Sequence, residues 1–312
     1  MSLPSVVVIG GGVIGRTSAL ALARQGHRVT LVSKDDPADT TSILAGAVWM
    51  PVYAEPMDKL VAWGRATFDR LVPLATDPQA TGVQLLRGTV WYAVDEPDLR
   101  WIEGAGDVEI VAGRAGGPAG AKRAATATLP CIDMSRHLPW LQKQGAAAGV
   151  VEERRAVSSV DEAAALADLV VLATGLETGA LVPGSGMYPI QGQTVRVANP
   201  GGIGWASYED AEVTTYVIPR IDEIIIGGTH VVGATSLEPD PALEATLLER
   251  AIALKPELAG SPVTSRAVGL RPGRDAVRLE RIGDVIHNYG HGGSGVTVAY
   301  GCADEVAALA RG

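Results

Sequence analysis

Two glycine-rich turns hold the densest chemistry in this chain: Gly10-x-Gly12-x-x-Gly15 near the start and Gly290-His291-Gly292-Gly293-Ser294-Gly295 near the end. The first follows an unbroken β-branched run at residues 5–9 and opens an Ala- and Leu-rich segment at 13–25, with Gly26 placed as a C-cap. Between a strand and a helix, this spacing reads as a phosphate-binding turn. Gly10 permits the tight turn, Gly12 lets the backbone approach a pyrophosphate, and Gly15 lets the helix pack on the strand. The helix N-terminus adds free N–H groups and partial positive charge, carried here by Val13 and Ile14. An acid about 20 residues on commonly holds a ribose. Asp35 stands there, between Lys34 and Asp36. The second turn also sits between a strand and a helix, but only 17 residues follow Gly295. No further strand can complete a second dinucleotide unit, so this turn aims another helix N-terminus at the same cofactor.

The elements that must position these turns follow from hydrophobic patterning. Strands are expected at 5–9, 28–32, 82–94, 150–157, 169–173, 193–197, 214–218, 223–226 and 285–288. Helices are expected at 13–25, 58–71, 135–149, 163–167, 241–254 and 297–311, and residues 104–120 read as a surface excursion. Buried βα units at the start, middle and end alternate with antiparallel stretches. That pattern predicts an α/β protein of two interleaved domains, the chain crossing between them more than once.

Bulk properties exclude several classes. The 312 residues carry a net charge of −9, which disfavours nucleic acid and anionic membrane as partners. Apolar residues make up 47% and Phe68 is the only phenylalanine, so the core rests on Ala, Val, Leu and Ile. Cys131 and Cys302 form no CxxC, which leaves no thiol-redox motif and no metal knuckle. No apolar run approaches the roughly 20 residues of a membrane span, and no signal peptide is visible. A cytoplasmic location is the default expectation.

Several segments, in order along nearly the whole chain, resemble the FAD-dependent D-amino-acid oxidases. They are Val6–Ile9 with the glycine turn, Thr40-Thr41-Ser42-Ile43-Leu44-Ala45-Gly46-Ala47-Val48-Trp49-Met50-Pro51, Tyr216-Val217-Ile218-Pro219, Gly227-Gly228-Thr229, Gly269-Leu270-Arg271-Pro272-Gly273-Arg274, and the signature running from Ile286 through the second glycine turn to Thr297. The last two are the most specific. The resemblance implies non-covalent FAD in a Rossmann-like domain (residues 1–49, 135–183 and 268–312). It implies a substrate domain on a mostly antiparallel sheet (residues 50–134 and 184–267). Beyond the first turn, it implies that FAD meets Thr40, Thr41, Ser42, Ala45, Gly46, Ala47 and Trp49, then Val157, Thr174 and Gly175. At the far end it implies contacts from Arg271, Gly290, Gly292, Gly293, Gly295, Val296 and Thr297.

The implied reaction takes a D-amino acid to an imino acid by hydride transfer from the substrate α carbon to FAD. Water then yields a 2-oxo acid and ammonia, and molecular oxygen yields hydrogen peroxide. The protein must place the α carbon and fix its orientation. Arg271 is the expected cation for the carboxylate, since a guanidinium grips it with two parallel hydrogen bonds. Tyr216 is expected to donate to the same carboxylate, and Gly293 to offer its carbonyl to the amine. Arg274 and Arg278 are read as structural. His287 and His291 are expected to pack and hydrogen-bond near the flavin, with no general base required.

Around the substrate side chain, Met50 gives an apolar, adaptable wall that favours neutral, hydrophobic D-amino acids. Relatives often carry a lid tyrosine where this chain has Glu212. Either Tyr208 replaces it or the lid is more open. His230 stands where relatives for acidic substrates carry Arg, so D-aspartate oxidation remains an alternative, as does glycine or sarcosine oxidation on the same fold. A nicotinamide dehydrogenase and a non-catalytic cofactor-binding protein are the more distant readings. A homodimer is compatible with the sequence.

Overall fold

The computed structural model describes residues 3–114, 116–210 and 214–311. Two sheets organise them. The first has six strands in the order Arg278–Ile282, Val285–Tyr289, Leu169–Leu172, Val6–Ile9, Val29–Ser33, Val151–Arg154. All neighbours run parallel except the Arg278–Ile282/Val285–Tyr289 hairpin. Alternate side chains of a strand point to opposite faces, and here both faces are buried. Val6 and Val8 pack with Leu22, Leu60, Val298 and Val306, from the helices Val13–Arg24, Met57–Leu71 and Gly295–Leu309. Val7 and Ile9 pack with Val170, Leu172 and Tyr289. Burial on both faces explains why these strands read as continuous apolar runs.

The second sheet has nine strands. Val231–Val232, Tyr188–Ala198, Glu223–Gly227, Thr215–Pro219, Ala206–Glu209, Val83–Tyr92, Arg123–Ile132 and Glu109–Ala112 lie side by side, and Val263–Gly273 pairs with the other edge of Tyr188–Ala198. Pairing is antiparallel apart from Val83–Tyr92 with Ala206–Glu209. The helix Pro241–Leu254 covers part of it, burying Leu247 and Ala251. Its N-cap is Asp240, whose carboxylate accepts from the Ala242 and Leu243 N–H groups.

Most expected elements are present with ends shifted by a few residues. Residues 104–120 contain the edge strand Glu109–Ala112 rather than only a surface excursion. Arg123–Ile132, Ala206–Glu209, Val263–Gly273 and Arg278–Ile282 are strands that patterning did not reveal. Arg123–Ile132 is rich in Ala, which is depleted in strands; it is held by ten paired positions on Val83–Tyr92. The expected 150–157 strand contracts to the exposed edge Val151–Arg154.

Candidate active site

A cavity of about 1100 Å³ lies where the two sheets meet, larger than the roughly 300–1,000 Å³ of an ordinary small-ligand pocket. One side is built from segments leaving the carboxyl ends of the parallel strands: Gly10–Gly12 after Val6–Ile9, Lys34 and Asp35 after Val29–Ser33, Val157 after Val151–Arg154, Thr174 and Gly175 after Leu169–Leu172, and residues 290–293 after Val285–Tyr289. Ligands of open α/β sheets bind at that end. The other side is one face of the second sheet, presenting Gly192, Thr194, Ser207, Glu209, Tyr216, Ile218 and residues 267–272.

The first glycine turn is tightly constrained. Gly10 has φ +122°, and a Cβ there would lie 2.2 Å from the Ala173 carbonyl oxygen. A Cβ on Gly12 would meet Ser42 Oγ at 3.0 Å, and the Val13 N–H donates to that same Oγ at 3.0 Å. The helices Val13–Arg24 and Gly295–Leu309 both begin at the cavity, and neither carries an acid in its first turn. Their positive ends therefore remain available to an anion. Thr40, Thr41, Ser42, Ala45, Gly46 and Ala47 line the wall between the two turns, as do Ile14, Gly290, Gly292, Gly293, Gly295, Val296 and Thr297. Arg220, fully buried, donates to the carbonyls of Ile43 (3.1 Å) and Ala45 (2.6 Å) and pairs with Glu223 at 3.2 Å.

Three buried polar atoms of the cavity wall have no hydrogen-bond partner: Asn288 Oδ1, His291 Nε2 and Trp205 Nε1. A large polar ring system would satisfy such atoms. With the glycine cradle, two helix N-termini and this volume, the residues present fit a flavin dinucleotide.

Two residues expected at the cofactor stand behind the wall. Trp49 is fully buried, donates from Nε1 to the Gly64 carbonyl at 2.9 Å, and meets Phe68 edge-on at 4.9 Å between centroids. Gly15 packs on the strand side, where a Cβ would strike the Gly10 carbonyl oxygen at 1.8 Å. Of the acids near the ribose end, Asp35 lines the cavity, whereas Asp36 pairs with Arg154. Lys34 also lines it and pairs with Glu177 at 3.1 Å.

At the opposite end, Arg271 on Val263–Gly273 reaches the cavity and donates from Nη1 to the Thr229 carbonyl at 3.0 Å. Among the described residues it pairs with no carboxylate. It passes directly over Gly192, where a Cβ would fall 2.4 Å from the guanidinium. The Tyr216 ring lies on Gly227 and Gly228, at which a Cβ would approach it to 2.4 Å. Gly293 faces this end: a Cβ there would lie 3.7 Å from Tyr53 Cβ and 3.9 Å from Arg271 Cδ. Met50 is buried in the wall.

Two expectations change here, and a third falls on residues the structure does not describe. Glu212 lies outside the described residues. Tyr208 does not replace a lid. Strand alternation turns Ser207 and Glu209 to the cavity and Tyr208 away from it, into the cluster with Trp91 and Val217. Tyr53, which the sequence did not single out, takes the rim instead. Its backbone has φ +61°, uncommon for a non-glycine residue, and its hydroxyl donates to Glu209 Oε2 while its ring stands 6.4 Å from that of His230. Finally, His287 and His291 pack as expected, but His287 Nδ1 and His291 Nε2 are buried without hydrogen bonds. Burial lowers the His291 pKa to about 4. For His230, partial desolvation and then the Arg271 charge lower the pKa, so the ring is neutral at pH 7. Arg274 and Arg278 serve the scaffold: Arg274 donates to the Ser185 carbonyl at 2.8 Å and Arg278 to the Tyr289 hydroxyl at 2.8 Å.

The model of the FAD-dependent oxidoreductase family matches residues 5–309. The chain belongs to that family. It is 45% identical to a D-amino-acid oxidase of Streptomyces coelicolor, covering 98% of this chain and 96% of the relative. It is 31% identical to the human D-aspartate oxidase, covering 99% and 95%. Among solved structures, a glycine oxidase of Geobacillus kaustophilus superposes with a TM-score of 0.80 at 17% identity, over 100% of this chain and 95% of that one; this likeness concerns the fold. Both cysteines of this family member are buried in hydrophobic clusters, neither lines the cavity, and burial raises both thiol pKa values. Among the described residues no helix is long and apolar enough to cross a membrane.

Proposed function

We propose that the chain is a D-amino-acid oxidase: D-amino acid, water and oxygen give 2-oxo acid, ammonia and hydrogen peroxide. The observation that carries this reading is Arg271, a guanidinium unpaired by any described carboxylate, in the same cavity as the two glycine turns. When bound, FAD supplies the acceptor for the two electrons removed from the substrate. Arg271 binds the substrate carboxylate with two parallel hydrogen bonds, and its own bond to the Thr229 carbonyl fixes the fork's direction. Tyr216 donates its hydroxyl to the same carboxylate, its ring held by the flat Gly227-Gly228 surface. The Gly293 carbonyl accepts from the amine. These contacts orient the α hydrogen, and the orientation they impose is what selects one enantiomer. No side chain is assigned as general base.

Neutral side chains are favoured over acidic ones. Met50 lines the wall, and the neutral His230 supplies no cation for a second carboxylate. We assign the expected cofactor contacts to the residues that line the cavity. We draw the cofactor part as residues 1–49, 135–183 and 268–312 and the substrate part as 50–134 and 184–267, except that the helix Met57–Leu71 packs with the first through Leu60 against Val6 and Val8. Val263–Gly273 runs across the 268 boundary and carries Arg271 between them.

The test is an absorbance spectrum of the purified protein followed by peroxide release with D- and L-amino acids, glycine and sarcosine. A yellow protein releasing peroxide with D-alanine supports the reading. A colourless protein, or preference for an L-amino acid, glycine or sarcosine, overturns it.

A further inference from the structure

The cavity mouth contains an arrangement that substrate orientation does not use. Glu209, half-buried at the end of Ala206–Glu209, points into the cavity. Its Oε2 accepts from the Tyr53 hydroxyl and from Thr214 Oγ1 at 3.0 Å, and its Oε1 accepts from Ser207 Oγ at 2.9 Å. All three donors are neutral hydroxyls. Among the described residues no Lys, Arg or His pairs with this carboxylate. Hydroxyls hold the group in one orientation but leave its charge uncompensated. The bridging Tyr53 starts beside Gly293 and Arg271 and ends at Glu209. The carboxylate is therefore one tyrosine's length from the point where the substrate α carbon must sit. A lysine or arginine side chain has a comparable reach, with an apolar stem suited to Met50 and a cationic tip suited to Glu209. Of the other titratable groups lining this cavity near Glu209, Asp210 is itself an acid, Arg271 is directed to the Thr229 carbonyl at 3.0 Å, and His230 faces Tyr53 and carries no charge that would neutralise Glu209.

Resting on the oxidase reading above, we infer that Glu209, oriented by Tyr53, Thr214 and Ser207, is a specificity-determining residue. It selects D-amino acids with a long cationic side chain and rejects those with an acidic one. A cationic tip gains a charge-assisted hydrogen bond in an enclosed site, whereas a carboxylate tip meets a like charge.

Length-matched substrate pairs isolate this effect: D-lysine against D-norleucine, and D-glutamine against D-glutamate. The unaltered holoenzyme turns over D-lysine with the higher kcat/KM of the first pair and D-glutamine with the higher of the second. Glu209→Gln lowers the D-lysine to D-norleucine ratio about tenfold, the size of one charge-assisted contact. The change falls on KM, since the tip is bound equally in ground and transition states. Glu209→Lys reverses the second pair. Retained flavin absorbance verifies that each variant is folded. If the unaltered enzyme prefers D-norleucine, or if the ratios are the same in the Glu209→Gln variant, the inference is overturned while turnover of D-alanine leaves the oxidase reading standing. Absence of peroxide with every D-amino acid, D-alanine included, overturns the oxidase reading and this inference with it.

Discussion

Arg271 reaches the cavity by passing over the neighbouring strand of its own sheet, and one glycine on that strand makes this possible. A methyl group on Gly192 would fall 2.4 Å from the guanidinium, the mobile end of a long side chain. Gly192→Ala therefore displaces the fork without deforming the strand. We expect kcat/KM on D-alanine to fall about a hundredfold, as for an ångström-scale misplacement, with Tm nearly unchanged. Arg271→Ala should lose at least as much, and Arg271→Lys should recover only part, because a point charge lacks the bidentate geometry. Wild-type kinetics in both Gly192→Ala and Arg271→Ala would remove Arg271 from the carboxylate site. Two histidines make a second residue-scale prediction. Burial lowers His137 and His291 to about 4, against roughly 6.5 in the unfolded chain. Below that unfolded value the unfolded state binds protons that the native state refuses, so stability drops as pH is lowered. Their contribution is complete above pH 6.5 and is lost between there and about pH 4, at about 1.4 kcal/mol per histidine per pH unit. Thermal melts from pH 7 to pH 5 check this; a flat Tm contradicts it.

At the scale of elements, the segment running from Thr41–Leu44 to Ala47 links the two sides of the site. It carries no regular strand; its Ala47 carbonyl accepts from the Ile132 N–H at 2.9 Å, and the next residue, Val48, bridges Cys131. Arg220, immediately after the strand Thr215–Pro219, ties it to the second sheet through the carbonyls of Ile43 and Ala45. Replacing it by Met leaves both carbonyls without this donor and Glu223 with Arg196 as its remaining partner. A buried acceptor stripped of its donor costs about 1–3 kcal/mol. Arg220→Met should lower Tm and release flavin during gel filtration. Arg220→Lys should not restore both, since one ammonium cannot reproduce the fork reaching two carbonyls and Glu223. Unchanged Tm and flavin content would show that the segment is held by other contacts.

At the scale of the molecule, the cavity takes its walls from both sheets, so a ligand filling it links them. Stripping FAD should lower Tm, and adding it back should raise Tm with the logarithm of FAD concentration, about 2.7 kcal/mol of stabilisation at a hundredfold excess over Kd. A Tm independent of FAD would mean that the dinucleotide does not occupy this cavity. The interleaving predicted from alternating buried and antiparallel stretches corresponds to the two-sheet topology, with strands of the parallel sheet drawn from the start, middle and end of the chain.

What the sequence determined by itself was local and patterned. Continuous β-branched runs marked strands buried on both faces, and glycine spacing at strand–helix junctions marked the two turns. The likeness of the segments around Tyr216, Arg271 and Gly293 to the D-amino-acid oxidases pointed to the proposed reacting end. Each signal is carried by neighbouring residues, so chain order suffices to read it. The tertiary structure alone decided the rest. Tyr53 reaches the rim through an uncommon backbone angle, and Glu209 faces inward only because the register of its strand puts Tyr208 on the opposite face. Arg220 and Trp49 found their roles in partners far away along the chain. Which side of a strand is buried, and what lies across a cavity, depends on sheet pairing between distant segments, and that pairing leaves little trace in the local residue pattern.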